Sequence, residues 1–157
     1  MKTNIKSPGN TGFRLENLHA APAVFPAMLA LQEVVNGSRL EKPLLELVKI
    51  RVSTLNRCAF CLDMHHRDAV AAGEKPERLY LLPAWAEVAN YSPREKAALL
   101  WAETLTRLAV EHVSDEIFAT VRAQFEEAEL VELTLAIVAI NGWNRFNAGF
   151  RVPPGAF

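Results

Sequence analysis

Cys58 and Cys61 are the two cysteines of the chain, and His65 follows four residues after the second. A thiol reacts as its thiolate, so a reactive pair needs a lowered pKa, a partner thiol and a group that moves protons. A helix beginning at Cys58 would set unbonded N–H groups and a partial positive charge against that first thiol. On electrostatics alone, Cys58 is therefore the more acidic of the two. At ~100° per residue, Cys58, Cys61, His65 and Ala72 share one stripe, with Cys61 and His65 neighbours at i, i+4. His66 points to a different face.

Glu46 lies twelve residues before Cys58, where an antiparallel return of the chain brings it alongside the same helix. The rise from Glu46 to the turn is ~16 Å and Cys58 to His65 regains ~10 Å, which sets the carboxylate nearer His65 than Cys58. Thiol, imidazole and carboxylate can then form a relay: the carboxylate orients the imidazole, and the imidazole takes the thiol proton. Simpler readings compete. Glu46 shares a polar stripe with Lys49 and Ser53, which favours a solvated glutamate paired with Lys49. A lone His65 is more often an ordinary surface or core histidine. Cys58 and Cys61 could be half a zinc site, but no second C-x-x-C exists, and His65 with His66 completes the count only with poor geometry.

Start and stop signals divide the chain into helices, and no alternating segment argues for a sheet, so the expected fold is all-α. Residues 1–22 read as an extended arm and 23–157 as one helical domain. The first helix spans Pro26 to Val35 and stops at Asn36-Gly37. The second carries Pro43 in its first turn and runs to about Asn56. The third starts near Cys58 and runs to Ala72, with Gly73 as a left-handed stop and Pro76 preventing continuation. Ser92-Pro93-Arg94-Glu95 is a capping box opening a helix from Pro93 to about Ala109, and Ser114 caps another to about Phe125.

The last helix, roughly Glu127 to Ala148, is apolar on all sides, which suits a central position or an oligomer interface. Gly142 marks close packing or a kink there, and the tail from Arg151 to Gly155 is expected to be extended. Arg145, at i+4 from Asn141, is a charge in an apolar helix that needs a partner: a structural salt bridge or helix cap is favoured over a place in a substrate pocket with Asn141. Trp85, Trp101 and Trp143 read as core or interface residues.

The 157 residues, 17.4 kDa, suffice for a core without disulfide staples. A net charge of −1 and a pI near 6.4 offer no basic field for nucleic acid or anionic lipid. Met1 to Gly12 lack the apolar stretch of a secretory signal, and Leu135 to Ile140 is too short an apolar run to span a bilayer. The expectation is a soluble cytoplasmic protein, where a close cysteine pair is more often catalytic or metal-binding than structural.

With these residues in view, Glu46-x11-Cys58-x2-Cys61-x3-His65 resembles the Glu-x11-Cys-x2-Cys-x3-His signature of the AhpD-like alkylhydroperoxidases, in the carboxymuconolactone decarboxylase superfamily. The core resemblance covers about residues 40–90; Leu133 to Ala136 and Asn141 to Arg145 are also similar to small single-domain members. It implies an AhpD-like helical bundle and a thiol peroxidase in which Cys61 attacks the peroxide, Cys58 resolves the sulfenic acid into a disulfide, and Glu46 and His65 relay protons. It further implies no bound cofactor or metal, an external dithiol reductant of thioredoxin-like or lipoyl type, and a homo-oligomer, trimer or hexamer. The classical member has a histidine between the cysteines where this chain has Ala59-Phe60, a departure that bears on peroxide turnover and reductant choice. The decarboxylase branch lacks the cysteine pair, which argues against lactone decarboxylation.

The expected function is thus reduction of hydrogen peroxide or an organic hydroperoxide. The alternatives are a thiol-disulfide oxidoreductase of the same fold without fast peroxide turnover, and a non-enzymatic helical oligomer whose cysteines sense redox state or hold metal.

Overall fold

The computed structural model of the protein describes residues 12–14 and 20–156. Among these there are seven α-helices, one 3-10 segment and no strand. The helices are α1 (Val24–Asn36), α2 (Lys42–Leu55), α3 (Ala59–Ala71), α4 (Pro76–Leu81), α5 (Pro93–Thr106), α6 (Asp115–Arg122) and α7 (Glu127–Phe150), with the 3-10 segment Leu82–Glu87 after α4. The expected arm over residues 1–22 lies mostly outside the described residues.

Helix α2 organises the molecule. Pro43 sits in its first turn, where a missing N–H costs no hydrogen bond. The helix then buries apolar side chains on two sides. Leu44, Leu45, Val48 and Val52 enter a core shared with α5 and α7, around Ala98, Leu133 and Ile137. Leu47 and Ile50 enter a second core with Ala69, Leu79, Leu82 and Leu99. Fully burying one such side chain is worth about 1.5–3 kcal/mol, so α2 is held on both flanks and makes a rigid base for residues on its remaining face. It packs against α3, α5 and α7.

Helix α3 returns antiparallel to α2 and ends as expected: Gly73 adopts φ +93, and the N–H of Glu74 bonds the Ala69 carbonyl at 2.9 Å. The sequence reading missed α4 and the 3-10 segment. It took Pro76 only as a stop, whereas proline at the first helical position also starts a helix. Leu79 and Leu82 drive this piece, since they fill the second core beside half-buried Trp85.

The Ser92/Glu95 capping box opens α5. That helix ends at Thr106, short of Ala109, because Leu108 and Val110 beyond it are exposed and give another turn nothing to bury. Ser114 accepts from the Ile117 N–H at the start of α6. This helix also ends early, and Phe125 is buried beyond it under the Arg94 guanidinium, 4.2 Å above its ring. Trp101 is buried and donates to Thr134, and Trp143 donates to Gln32 of α1.

Helix α7 runs unbroken through Gly142, so the glycine marks close packing and not a kink: a Cβ there would lie 3.1 Å from the Met28 terminal carbon on α1. Leu133, Ala136, Ile137, Ala139 and Ile140 are buried, while Val131 and Val138 leave an apolar edge exposed. The tail does not begin extended at Arg151. That residue is left-handed (φ 55) and closes the helix, with the Val152 N–H bonded to the Asn147 carbonyl at 2.9 Å.

Candidate active site

The turn between α2 and α3 positions the thiols. Arg57 takes a left-handed conformation (φ 55), which reverses the chain sharply, and the Cys58 N–H then reaches back to the Ser53 carbonyl at 3.0 Å. Cys58 is consequently the N-cap of α3 and not its first residue, and its Sγ accepts the backbone N–H of Cys61 at 3.4 Å. One helical turn separates the two cysteines, with Cα atoms 5.4 Å apart, and they are joined in a disulfide. Both are almost fully buried.

Beyond Cys61, the next turn of α3 presents His65, also buried. Its Nδ1 lies 2.9 Å from Glu46 Oε2, while Lys49 Nζ lies 2.8 Å from the other oxygen of that carboxylate. Glu46 is therefore not a solvated surface glutamate, although its pairing with Lys49 at i, i+3 is present. Burial, the largest single influence, works against its charged form. The hydrogen bond and charge of His65, then those of Lys49, together outweigh that and hold the carboxyl below its ordinary value. An ionised carboxylate only accepts, so His65 Nδ1 donates to it, and whenever the ring is neutral its lone pair is on Nε2. His66 points elsewhere and donates from Nδ1 to the Leu62 carbonyl at 2.8 Å.

A third wall comes from α7, where Asn141, Asn144 and Asn147 recur at i, i+3 and i+6. Asn141 donates to Thr106, and Asn56 on the α2–α3 turn donates to both Asn141 and Asn144 at 2.9 Å. Asn144, 1% exposed, donates to the fully buried Ser53 at 3.0 Å. Asn147 donates its side-chain N–H to Cys61 Sγ at 3.4 Å. Asn56, Asn144 and Asn147 were missed from the sequence, where the available signal was a line of three amides in an otherwise apolar helix.

Arg145 is exposed, contrary to the expectation of a buried charge, and donates to the Asn141 carbonyl and side chain. Residue 145 lies on the solvent side of α7, so no buried counter-charge is required. With Asn141, Leu105, Leu108 and Val138 it lines a shallow, mostly apolar groove of about 410 Å³, to which Cys58, Cys61, His65 and Glu46 do not contribute.

Glu46, His65 and Asp68 have donor atoms within 4.8 Å of one another and could converge on a divalent ion. Asp68 faces solvent, and three donors form an open set, not a closed four-ligand zinc site. The sulfurs, joined to each other, offer no thiolate ligand.

Carbonyl-bonded turn, paired cysteines and a carboxylate-oriented imidazole together make an arrangement that can cycle between dithiol and disulfide with a proton acceptor beside it. The sequence model of the carboxymuconolactone decarboxylase family matches residues 22–104. The chain is 41% identical over 134 residues to YdfG, an uncharacterized protein of Bacillus subtilis, covering 85% of this chain and 91% of that protein. It is similar in structure, with a TM-score of 0.88 and 38% identity over 91% of this chain and 98% of the other, to an Agrobacterium tumefaciens protein of unknown function described as a candidate AhpD antioxidant defence protein. An uncharacterized peroxidase-related protein of Ralstonia eutropha with an alkylhydroperoxidase AhpD core shares the fold at a TM-score of 0.76 and 20% identity, over 88% of this chain and 74% of that one.

Proposed function

The chain belongs to the carboxymuconolactone decarboxylase family and has an AhpD-like helical fold, and from that membership we propose that it is a thiol-dependent peroxidase. The observation that carries the reading is the buried Cys58–Cys61 pair, one turn of helix from an imidazole whose Nδ1 is held by Glu46 at 2.9 Å. In the reduced protein, Nε2 of His65 takes the Cys61 proton. The thiolate attacks the peroxide, breaking the O–O bond to give Cys61 sulfenic acid, and the departing alkoxide or hydroxide takes up the proton held by His65. Cys58, as the resolving thiol, displaces water from the sulfenic acid to form the disulfide, which an external dithiol reduces by exchange while itself becoming oxidised. Glu46 fixes the imidazole tautomer and balances its charge while it holds the proton. The cycle uses no metal or bound cofactor.

A stopped-flow experiment tests this. The reduced protein is expected to consume a hydroperoxide and form the Cys58–Cys61 disulfide; Cys61→Ser abolishes the reaction, and Cys58→Ser leaves a trappable sulfenic acid. Oxidation of both cysteines at the slow rate of a free thiol would refute the peroxidase reading and leave a thiol-disulfide oxidoreductase or a redox sensor.

The reductant we propose is a thioredoxin-like or lipoyl-type dithiol, because a disulfide is reduced by thiolate attack and the chain has no third cysteine. Self-association into a trimer or hexamer is proposed on the exposed apolar edge of α7, Val131 and Val138. No helix among the described residues is long and apolar enough to cross a membrane, and we propose a cytoplasmic location, where a dithiol pool keeps such a pair reducible.

A further inference from the structure

Cys58 and Cys61 are equally buried, yet they sit in different fields. Cys58 caps α3, so the helix N-terminus and the Cys61 N–H both favour negative charge on its sulfur. Left there, the balance would make Cys58 the nucleophile. A peroxide attack by Cys61 therefore needs a compensating donor on the second sulfur. Asn147 supplies one, with Nδ2 3.4 Å from Cys61 Sγ.

We propose that Asn147 is a further catalytic residue, whose side-chain amide stabilises the thiolate of Cys61 selectively and so decides which sulfur attacks. In the disulfide this sulfur is a weak acceptor. Once reduced and ionised it becomes a charged one, and the same hydrogen bond strengthens with the charge. A donor that gains strength only on ionisation lowers the thiol pKa.

The position of the amide is well supported. Asn147 lies in the last turns of α7, where helices commonly fray, but three contacts secure that end. Its own carbonyl accepts the Val152 N–H at 2.9 Å, Val152 is buried, and Arg14 donates its backbone N–H to Phe150 at 2.8 Å and its guanidinium to Gly149 at 3.3 Å. One turn back, Asn144 is locked to Ser53 and Asn56, which registers α7 against the thiol-bearing turn.

The inference rests on the peroxidase reading for the role of Cys61, but its readout does not. Thiolate formation is followed by ultraviolet absorbance and by the pH dependence of iodoacetamide alkylation, in Cys58→Ser to isolate Cys61 and in Cys61→Ser to isolate Cys58. Asn147→Ala should raise the Cys61 thiol pKa by about one unit and slow its alkylation about tenfold at a pH below that value. Asn147→Asp, which keeps the shape but replaces the donor with a negative charge, should raise it at least as far. Cys58 should move much less in both. An unchanged Cys61 titration in either folded variant, or an equal shift of both thiols, overturns the proposal. A shifted Cys61 in a protein that does not turn over peroxide would instead refute the peroxidase reading and leave the role of Asn147 intact.

Discussion

Replacing Glu46 by glutamine removes a charge and keeps a similar shape, so it isolates what the carboxylate does for His65 and Lys49. At the 2.9 Å separation from His65, a full charge pair would attract by about 6 kcal/mol at an effective dielectric of ~20. Burial of Glu46 opposes this and is its largest single influence. What survives is about that of a hydrogen bond to a charged group, roughly 1.5–3 kcal/mol, part of which glutamine retains. A loss of about 1–2 kcal/mol at neutral pH follows, or roughly 2–8 °C in Tm for a chain of this length. The pH dependence has a definite sign. Because the folded carboxyl lies below its ordinary value of 4.5, its contribution is present above that value and is lost as pH falls through the folded pKa. Thermal unfolding of wild type and Glu46→Gln should therefore differ at pH 7 and converge as the pH falls below 4.5 and through the lowered folded value. In the same variant, peroxide turnover should fall by about tenfold or more, because the imidazole loses the charge that balances it when protonated. A Tm difference that is absent at pH 7, or that persists undiminished into acid, would refute the electrostatic argument; an unchanged pH–rate profile would remove Glu46 from the relay.

The surrounding scaffold gives two further tests. Ser53→Ala leaves the buried Asn144 amide without its acceptor and should cost about 1–3 kcal/mol in urea denaturation; a loss below ~0.5 kcal/mol would mean that the amide line on α7 is not structural. Arg57→Gly relieves a left-handed backbone at an exposed side chain and should stabilise the reduced protein by up to about 1 kcal/mol, so a measurable destabilisation would show that the arginine side chain contributes more than its backbone strain costs.

What local chemistry decides was readable in advance. The proline and serine starts of α2, α5 and α6 and the glycine stop of α3 depend on residues within one turn of each other, and all appear in the structure. The Pro76 piece was misread because proline both ends and begins helices, and only the pull of Leu79 and Leu82 into a core selects the second. Helix ends at Thr106 and Arg122 were overrun for a related reason: a helix stops where burial stops, and burial depends on neighbours distant in sequence.

The amino-acid order by itself determined the chemistry of the site, since two thiols, an imidazole and a carboxylate at helical and hairpin spacing converge wherever two successive helices fold back on each other. Tertiary structure alone decided the environment of that chemistry. Whether Glu46 faces water or His65 depends on how α2 and α3 pack on each other, and whether Arg145 is inside or outside, and which sulfur receives the amide of Asn147, eighty-six residues away, depend on how α7 is rotated and docked against α2 and α3. That rotation is set by the burial of Leu133, Ala136, Ile137 and Ile140 and by the Asn144–Ser53 bond. An all-round apolar helix carries little periodic signal of its own to specify which face will turn inward.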